Sequence, residues 1–373
     1  MNRRQLLAHL TAAGVSVPLL SRDAMAASGG FSQQDYARAV VIDALGGVGE
    51  AGPDGYSPDL LADLKASGVT ALNLTLGAIG NGPRKFAETV REIDEVDALL
   101  AKHNDALLLV RSSADLRKAK ATGRLGVVYG FQDTTMLEGD LARLSMFRDR
   151  GVRVVQLTYN LRNLMGSGCL VPKDEGVTAL GRECIAEIER QKQLLDLSHA
   201  GARTIAEGIA ASKRPLAITH TGCRALVDFP RNTHDRELKA LADKGGVVGI
   251  YFMPFLRRSG QPTAQDLISH LDHAVNVCGE DHVGLGTDGN VSGAKLDAAA
   301  ATNQREFYER RAKEGIAAPG EAADVFNLIP EYNEPKKFLR LADDLAHHGW
   351  RTGRIEKVLG ANFARLFNDV WGS

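Results

Sequence analysis

The stretch Leu194-Leu-Asp-Leu-Ser-His199, then about one helix, then Pro215-Leu-Ala-Ile-Thr-His220 decides how the chain is read. Two short apolar runs each end in a polar residue followed by histidine. In an α/β fold that ending sets an imidazole at the carboxyl edge of a strand, where parallel barrels assemble their sites from several strand ends. A lone histidine there is more often a cap in a polar pocket. Two at equivalent strand ends make His199 and His220 candidate metal ligands.

Outward from that stretch, apolar runs alternate with helical patterns. The runs predict strands at 39–45, 69–76, 106–110, 126–131, 153–158, 194–198, 216–219, 247–252 and 283–287. Amphipathic stretches at 58–67, 85–103, 141–150, 179–191, 233–244 and 263–278 predict helices between them. The strands are apolar almost throughout, as strands covered on both faces are. Strand then helix, repeated about eight times, is the pattern of a (β/α)8 TIM-like barrel. Nine candidates for eight places mark 106–110 as extra or irregular. Residues 335–371 read as two further helices with a glycine turn, packed on the outside or base of the barrel.

A chain of 373 residues with a formal net charge of -1 has material for one barrel-sized domain and no basic surface for nucleic acid or anionic membranes. No Pro, Ser or Gly-rich linker divides it, so residues 29–373 read as a single domain. Residues 1–28 read as a twin-arginine-type signal peptide: Arg3-Arg4, an apolar stretch from Leu10 to Leu20, and Ala24-Met-Ala-Ala before Ser28. Export to a bacterial periplasm is therefore expected, with no membrane span after signal removal. Of the four cysteines, Cys169 and Cys184 are the pair to test first for a disulfide, and Cys223 and Cys278 read as buried thiols.

Two long connections stand out. One runs from Tyr159 to about Thr178; the other, from Gly289 to about Asn333, reads as a lid containing a helix. Gly47-Val-Gly-Glu-Ala-Gly52 has the spacing of a dinucleotide fingerprint, but Pro53 to Pro58 breaks the helix that should follow, leaving nicotinamide binding a distant alternative. Asp288 closes Val283-Gly-Leu-Gly-Thr-Asp288 and brings a carboxylate to the histidines' rim, to ligate a metal or take a proton from bound water. Arg231, eleven residues after His220, suits bidentate capture of a carboxylate. His270 and His273, three apart on an outer helix, read as structural.

Taken together, Leu195-Asp-Leu-Ser-His199, Thr219-His220, Arg231-Asn232, His270-Leu-Asp-His-Ala-Val275, Asp281-His-Val-Gly-Leu-Gly-Thr-Asp288 and Val358-Leu-Gly-Ala-Asn-Phe-Ala-Arg365 resemble the membrane (renal) dipeptidase family over nearly the whole mature chain. The resemblance implies a barrel with a two-zinc site that hydrolyses dipeptides. By position, His199 and His220 would hold one zinc, Asp288 would be the site's carboxylate, and Arg231 with Asn232 would grip the substrate's terminal carboxylate. The sequence also departs from the family. Leu45 and Gly47 stand where strand-one ligands belong, Gln132 replaces a bridging glutamate, and Tyr159 replaces a histidine near the scissile carbonyl. Asp43 and Asp133 are the nearest substitutes, and Tyr159 is left to donate to an oxyanion. Two expectations follow: an exported dipeptidase-like hydrolase with one zinc ion or none, acting on a small peptide-like amide, or a degenerate homologue that binds or modifies such a ligand. A homodimer is left open.

Overall fold

The computed structural model describes residues 30–77 and 86–372; the expected signal segment lies outside them. Eight parallel strands run in sequence order around a barrel: β1 Ile42–Asp43, β2 Ala71–Thr75, β3 Leu125–Phe131, β4 Val152–Gln156, β5 Leu194–Asp196, β6 Ala217–Thr221, β7 Val247–Ile250 and β8 Val283–Leu285. All seven residues of β3 are buried, as a stave covered by helices outside and core inside requires. The short strand Leu107–Leu109 pairs only with Leu125–Val127 at the start of β3. It is the irregular ninth candidate, outside the ring of eight.

Backbone pairing after β1 closes the ring. Ala44 donates to the Leu285 carbonyl at 2.9 Å, Asp288 donates to the Leu45 carbonyl at 2.8 Å, and Gly46–Gly47 pairs in parallel with Gly289–Asn290. The helices fall where the periodicity puts them, for instance Pro58–Ser67, Ala179–Arg190 and Ala264–Cys278, and the lid segment contains the helix Ala298–Lys313. The Ala264–Cys278 helix is started by a capping box between Thr263 and Asp266. Thr263→Ala removes one acceptor for an unpaired helix-end N–H and is expected to cost about 1 kcal/mol; a denaturant midpoint equal to wild type would contradict this.

The C-terminal segment forms helices Lys337–His347, Thr352–Glu356 and Asn362–Trp371, the last two joined by the irregular turn Lys357–Ala361. The last helix seals the base of the barrel. Phe363, Leu366, Phe367 and Val370 pack on Ile42, Ala71, Val154, Leu194 and Val247 from the strand starts. Gly284 makes room for this plug, since a Cβ there would stand 2.6 Å from the Phe363 ring.

All four cysteines are free thiols, which corrects the expected Cys169–Cys184 pair. Cys184 lies on the buried face of the Ala179–Arg190 helix, whereas Cys169 sits 3.5 Å from Asn160 Oδ1 near the barrel mouth. Burial pushes the Cys184 thiol up to about 12, an inert state. His270 is structural: its Nδ1 accepts from the Cys223 N–H and its Nε2 faces the Leu256 carbonyl.

Candidate active site

Asp196, at the end of β5, sets the local geometry. Its carboxylate accepts from the N–H and hydroxyl of Ser198 and from the N–H and hydroxyl of Thr219, tying the ends of β5 and β6 together. His199 then turns into the left-handed region at φ 61°, as Asp288 does at 57° beyond β8. Such strained backbone in non-glycine residues is held by its surroundings and clusters at functional sites.

The histidine pair's hydrogen bonds assign its tautomers. Asn160 Nδ2 donates to the Ile316 carbonyl, which fixes its Oδ1 as the acceptor for His199 Nδ1–H at 2.6 Å. The Thr219 hydroxyl proton goes to Asp196, so its oxygen accepts from His220 Nδ1–H at 2.8 Å. Both Nε2 atoms are thereby left as bare acceptors, 2.9 Å apart. Two converging lone pairs repel unless a cation lies between them, and anchored Nδ1–H groups are the outer shell that metal-binding imidazoles carry. Burial holds both rings well below their ordinary pKa, with Arg231 adding to the effect, so they are neutral near pH 7 and a proton does not fill that role.

The pair offers two nitrogen donors of the kind a metal ion takes. Among the described residues no three His, Cys, Asp or Glu side chains gather into a metal-holding group, so Asp288 does not join the histidines in a three-ligand cluster. The expected substitutes are spent elsewhere. Asp43 accepts from the N–H and hydroxyl of Thr287 and from Leu45 N–H, serving the barrel seam. Asp133 caps the turn after β3, accepting from Thr134, Thr135 and Asn163. Gln132 donates to the Thr75 hydroxyl at 2.7 Å and offers only a neutral amide. At Gly47 a Cβ would run into Asn290 Oδ1.

A cavity of about 120 Å3 opens on this rim, lined by Tyr159, His199, Arg231, Asp288, Phe307 and Arg311 among others. Tyr159 stacks on His199 with ring centroids 4.1 Å apart. Its hydroxyl oxygen accepts from Arg311 at 3.2 Å, leaving the phenolic proton free to donate. Arg311 is held by a two-pronged pair to Glu321 at 2.7 and 2.9 Å. Arg231 is 3% exposed, lies over the Tyr251 and Phe255 rings, and its Nη2 has no hydrogen-bond partner among the described residues. Asn232, expected to touch substrate, is used up in the framework: its amide donates to Val227 and Phe255 and accepts from the Tyr251 hydroxyl. The Asp288 carboxylate has no hydrogen-bond partner among the described residues, and burial pushes it up to about 6 against the pull of Arg231 and Arg311.

Asn160, Asp196, Arg311 and Glu321 were not singled out by the sequence reading. Asp196 had a signal, standing inside the Leu-Asp-Leu-Ser-His motif. Arg311 and Glu321 had none, since they come from a lid whose docking is set by tertiary contacts.

Converging imidazoles at the strand ends of a parallel barrel put this chain in the class of metal-dependent barrel hydrolases. Residues 56–302 match the family Membrane dipeptidase (Peptidase family M19), and the chain belongs to that family. An amidohydrolase of Pseudomonas aeruginosa superposes with a TM-score of 0.79 at 32% identity, covering 91% of this chain and 99% of that one. A Klebsiella pneumoniae protein encoded in the pqqA 5' region is 28% identical over 73% of this chain and 92% of its own length. An uncharacterized dipeptidase of Schizosaccharomyces pombe is 31% identical over 54% of this chain, a match that spans half of its own length.

Proposed function

We propose that this chain is an exported, dipeptidase-like hydrolase of a dipeptide or small peptide-like amide, working with a site reduced to at most one zinc ion. The observation that carries the reading is the buried Arg231 with its unpartnered Nη2, beside a small cavity whose wall also holds His199. A buried, unpaired cation is costly and marks where a ligand's anion belongs. The export signal would occupy residues 1–28; among the described residues no helix is long and apolar enough to cross a membrane.

The chain's own groups divide the work. Arg231 holds the terminal carboxylate of the substrate, and the rings beneath it keep water from competing. The phenol of Tyr159, backed by Arg311, donates to the carbonyl oxygen as it gains charge. Asp288, unpartnered and poised near 6, takes up a proton. A zinc ion on His199 and His220, when bound, would supply Lewis acidity and a more acidic water.

A second reading has its own support. Leu45, Gly47 and Gln132 stand where ligands would complete the site, and the pairing of Gly47 with Asn290 uses that edge for barrel closure. In that reading the same cavity binds the peptide without cleaving it. Metal content and a dipeptide panel, measured on one preparation purified without chelators, separate the cases. At most one zinc per chain with turnover of free-carboxylate dipeptides is expected. Two tightly held zinc ions overturn the reduced site, binding without turnover after zinc addition supports the second reading, and no interaction with any dipeptide overturns both.

A further inference from the structure

The cavity beside Arg231 is too small for a whole dipeptide. At about 120 Å3 it lies under the roughly 300 Å3 at which small-molecule sites begin. A second cavity of about 350 Å3 adjoins it, and Asp288, Phe307 and Asn327 line both. Asn327 Oδ1 is buried at that junction with no hydrogen-bond partner, an acceptor lacking a donor.

The wall of the second cavity also contains Lys337, 6% exposed, whose ammonium donates to the Asn290 carbonyl. Lys337 opens the helix Lys337–His347, where the helix dipole is positive and disfavours a cation. Two carboxylates act on it through space, Asp43 and Glu334. Asp43 is engaged by Thr287 and Leu45, and Glu334 pairs with Arg340. Among the described residues neither carboxylate reaches ion-pair distance of the ammonium, whose close acceptor is the neutral Asn290 carbonyl, so an incoming acidic group would add a direct partner.

We infer, on the functional reading above, that the ligand is an extended dianion with its terminal carboxylate at Arg231, an N–H on Asn327 Oδ1, and a second acidic group at Lys337. The junction at Asp288 then receives the amide, and the N-terminal residue fills the larger cavity. The substrate class narrows to peptides whose N-terminal residue carries a carboxylate.

The test compares Glu-Ala with Gln-Ala, which differ only in that charge, by binding heat or KM on the full chain at pH 7. Wild type is expected to favour Glu-Ala by about tenfold or more, the worth of one charge-assisted hydrogen bond. Lys337→Met is expected to bring the two peptides within about twofold of each other, chiefly by weakening Glu-Ala. Ser292→Glu places a carboxylate on the same cavity wall with Lys337 intact, and should erase the preference even if Lys337→Met fails to fold. Equal affinities in wild type, or a preference that survives in Lys337→Met, overturn the dianion. Arg231→Met distinguishes the layers: unchanged binding of both peptides overturns the proposed function itself, whereas loss of both with no Glu/Gln difference in wild type overturns the dianion alone.

Discussion

Replacing Arg231 by methionine is expected to weaken binding of a free-carboxylate dipeptide by at least about a hundredfold. The guanidinium is buried over Tyr251 and Phe255 with one nitrogen unpartnered, so it has little solvent to fall back on and, among the described residues, no anion in contact. Truncating one partner of a buried, hydrogen-bonded charge pair costs about 2–5 kcal/mol. Methionine keeps most of the stem's volume and removes the charge. The same change should raise the thermal midpoint of the free protein if the desolvation of the buried cation outweighs its through-space attraction to Asp288. An amidated dipeptide, lacking the anion, should bind wild type and variant alike. Equal affinity of the variant for the free-carboxylate peptide would remove Arg231 from recognition.

Asp43→Asn is expected to reshape the dependence of stability on pH. Burial pushes the Asp43 carboxyl up to about 7 in the folded protein, against 3.8 ordinarily. Below pH 4 both folded and unfolded chains carry the proton, and the group's contribution is fully present. Between pH 4 and 7 the unfolded chain loses the proton first, so stability falls as pH rises. Asparagine is neutral throughout and can still accept from Thr287 N–H while donating to its hydroxyl. The variant's curve should therefore decline less from pH 4 to 7. Asp288, raised to about 6, acts in the same direction, while the depressed histidines act oppositely below 6.5. These three are common to both proteins, whereas Lys337, which the Asp43 carboxylate pulls upward through space, shifts downward in the variant and enters the difference. Identical curves, measured by denaturant unfolding, would show that the buried carboxyl does not titrate with folding.

The barrel was legible because its evidence is periodic and local. Apolar runs covered on both faces point to parallel strands between layers of helix, and each expected run overlaps the strand found, with ends that differ by a residue or more at most of them. The pair His199 and His220 was legible for a similar reason, since a strand's end fixes where the next residue lies. What failed to read was side-chain direction beyond the strand ends. Asp43 and Asp133 are near the rim in sequence, yet each turns to cap neighbouring backbone N–H groups. Asn232 sits beside Arg231 but serves the loop's own carbonyls and Tyr251. The left-handed backbone at His199 and Asp288 re-aims both side chains, and no local pattern announces it. Arg311 and Glu321 reach the cavity only through the lid's packing.

The seam between Gly46–Gly47 and Gly289–Asn290 bears on how such a chain could evolve. An acidic residue returned to position 47 would collide with Asn290, and one at position 46 with Asp43. A side chain at position 47 requires the Asn290 side chain to turn aside, while the backbone pairing of the two positions fixes how close they stand. A ligand at position 47 and the present rotamer of Asn290 are therefore alternatives, and a substitution at one is expected to need a matching adjustment at the other.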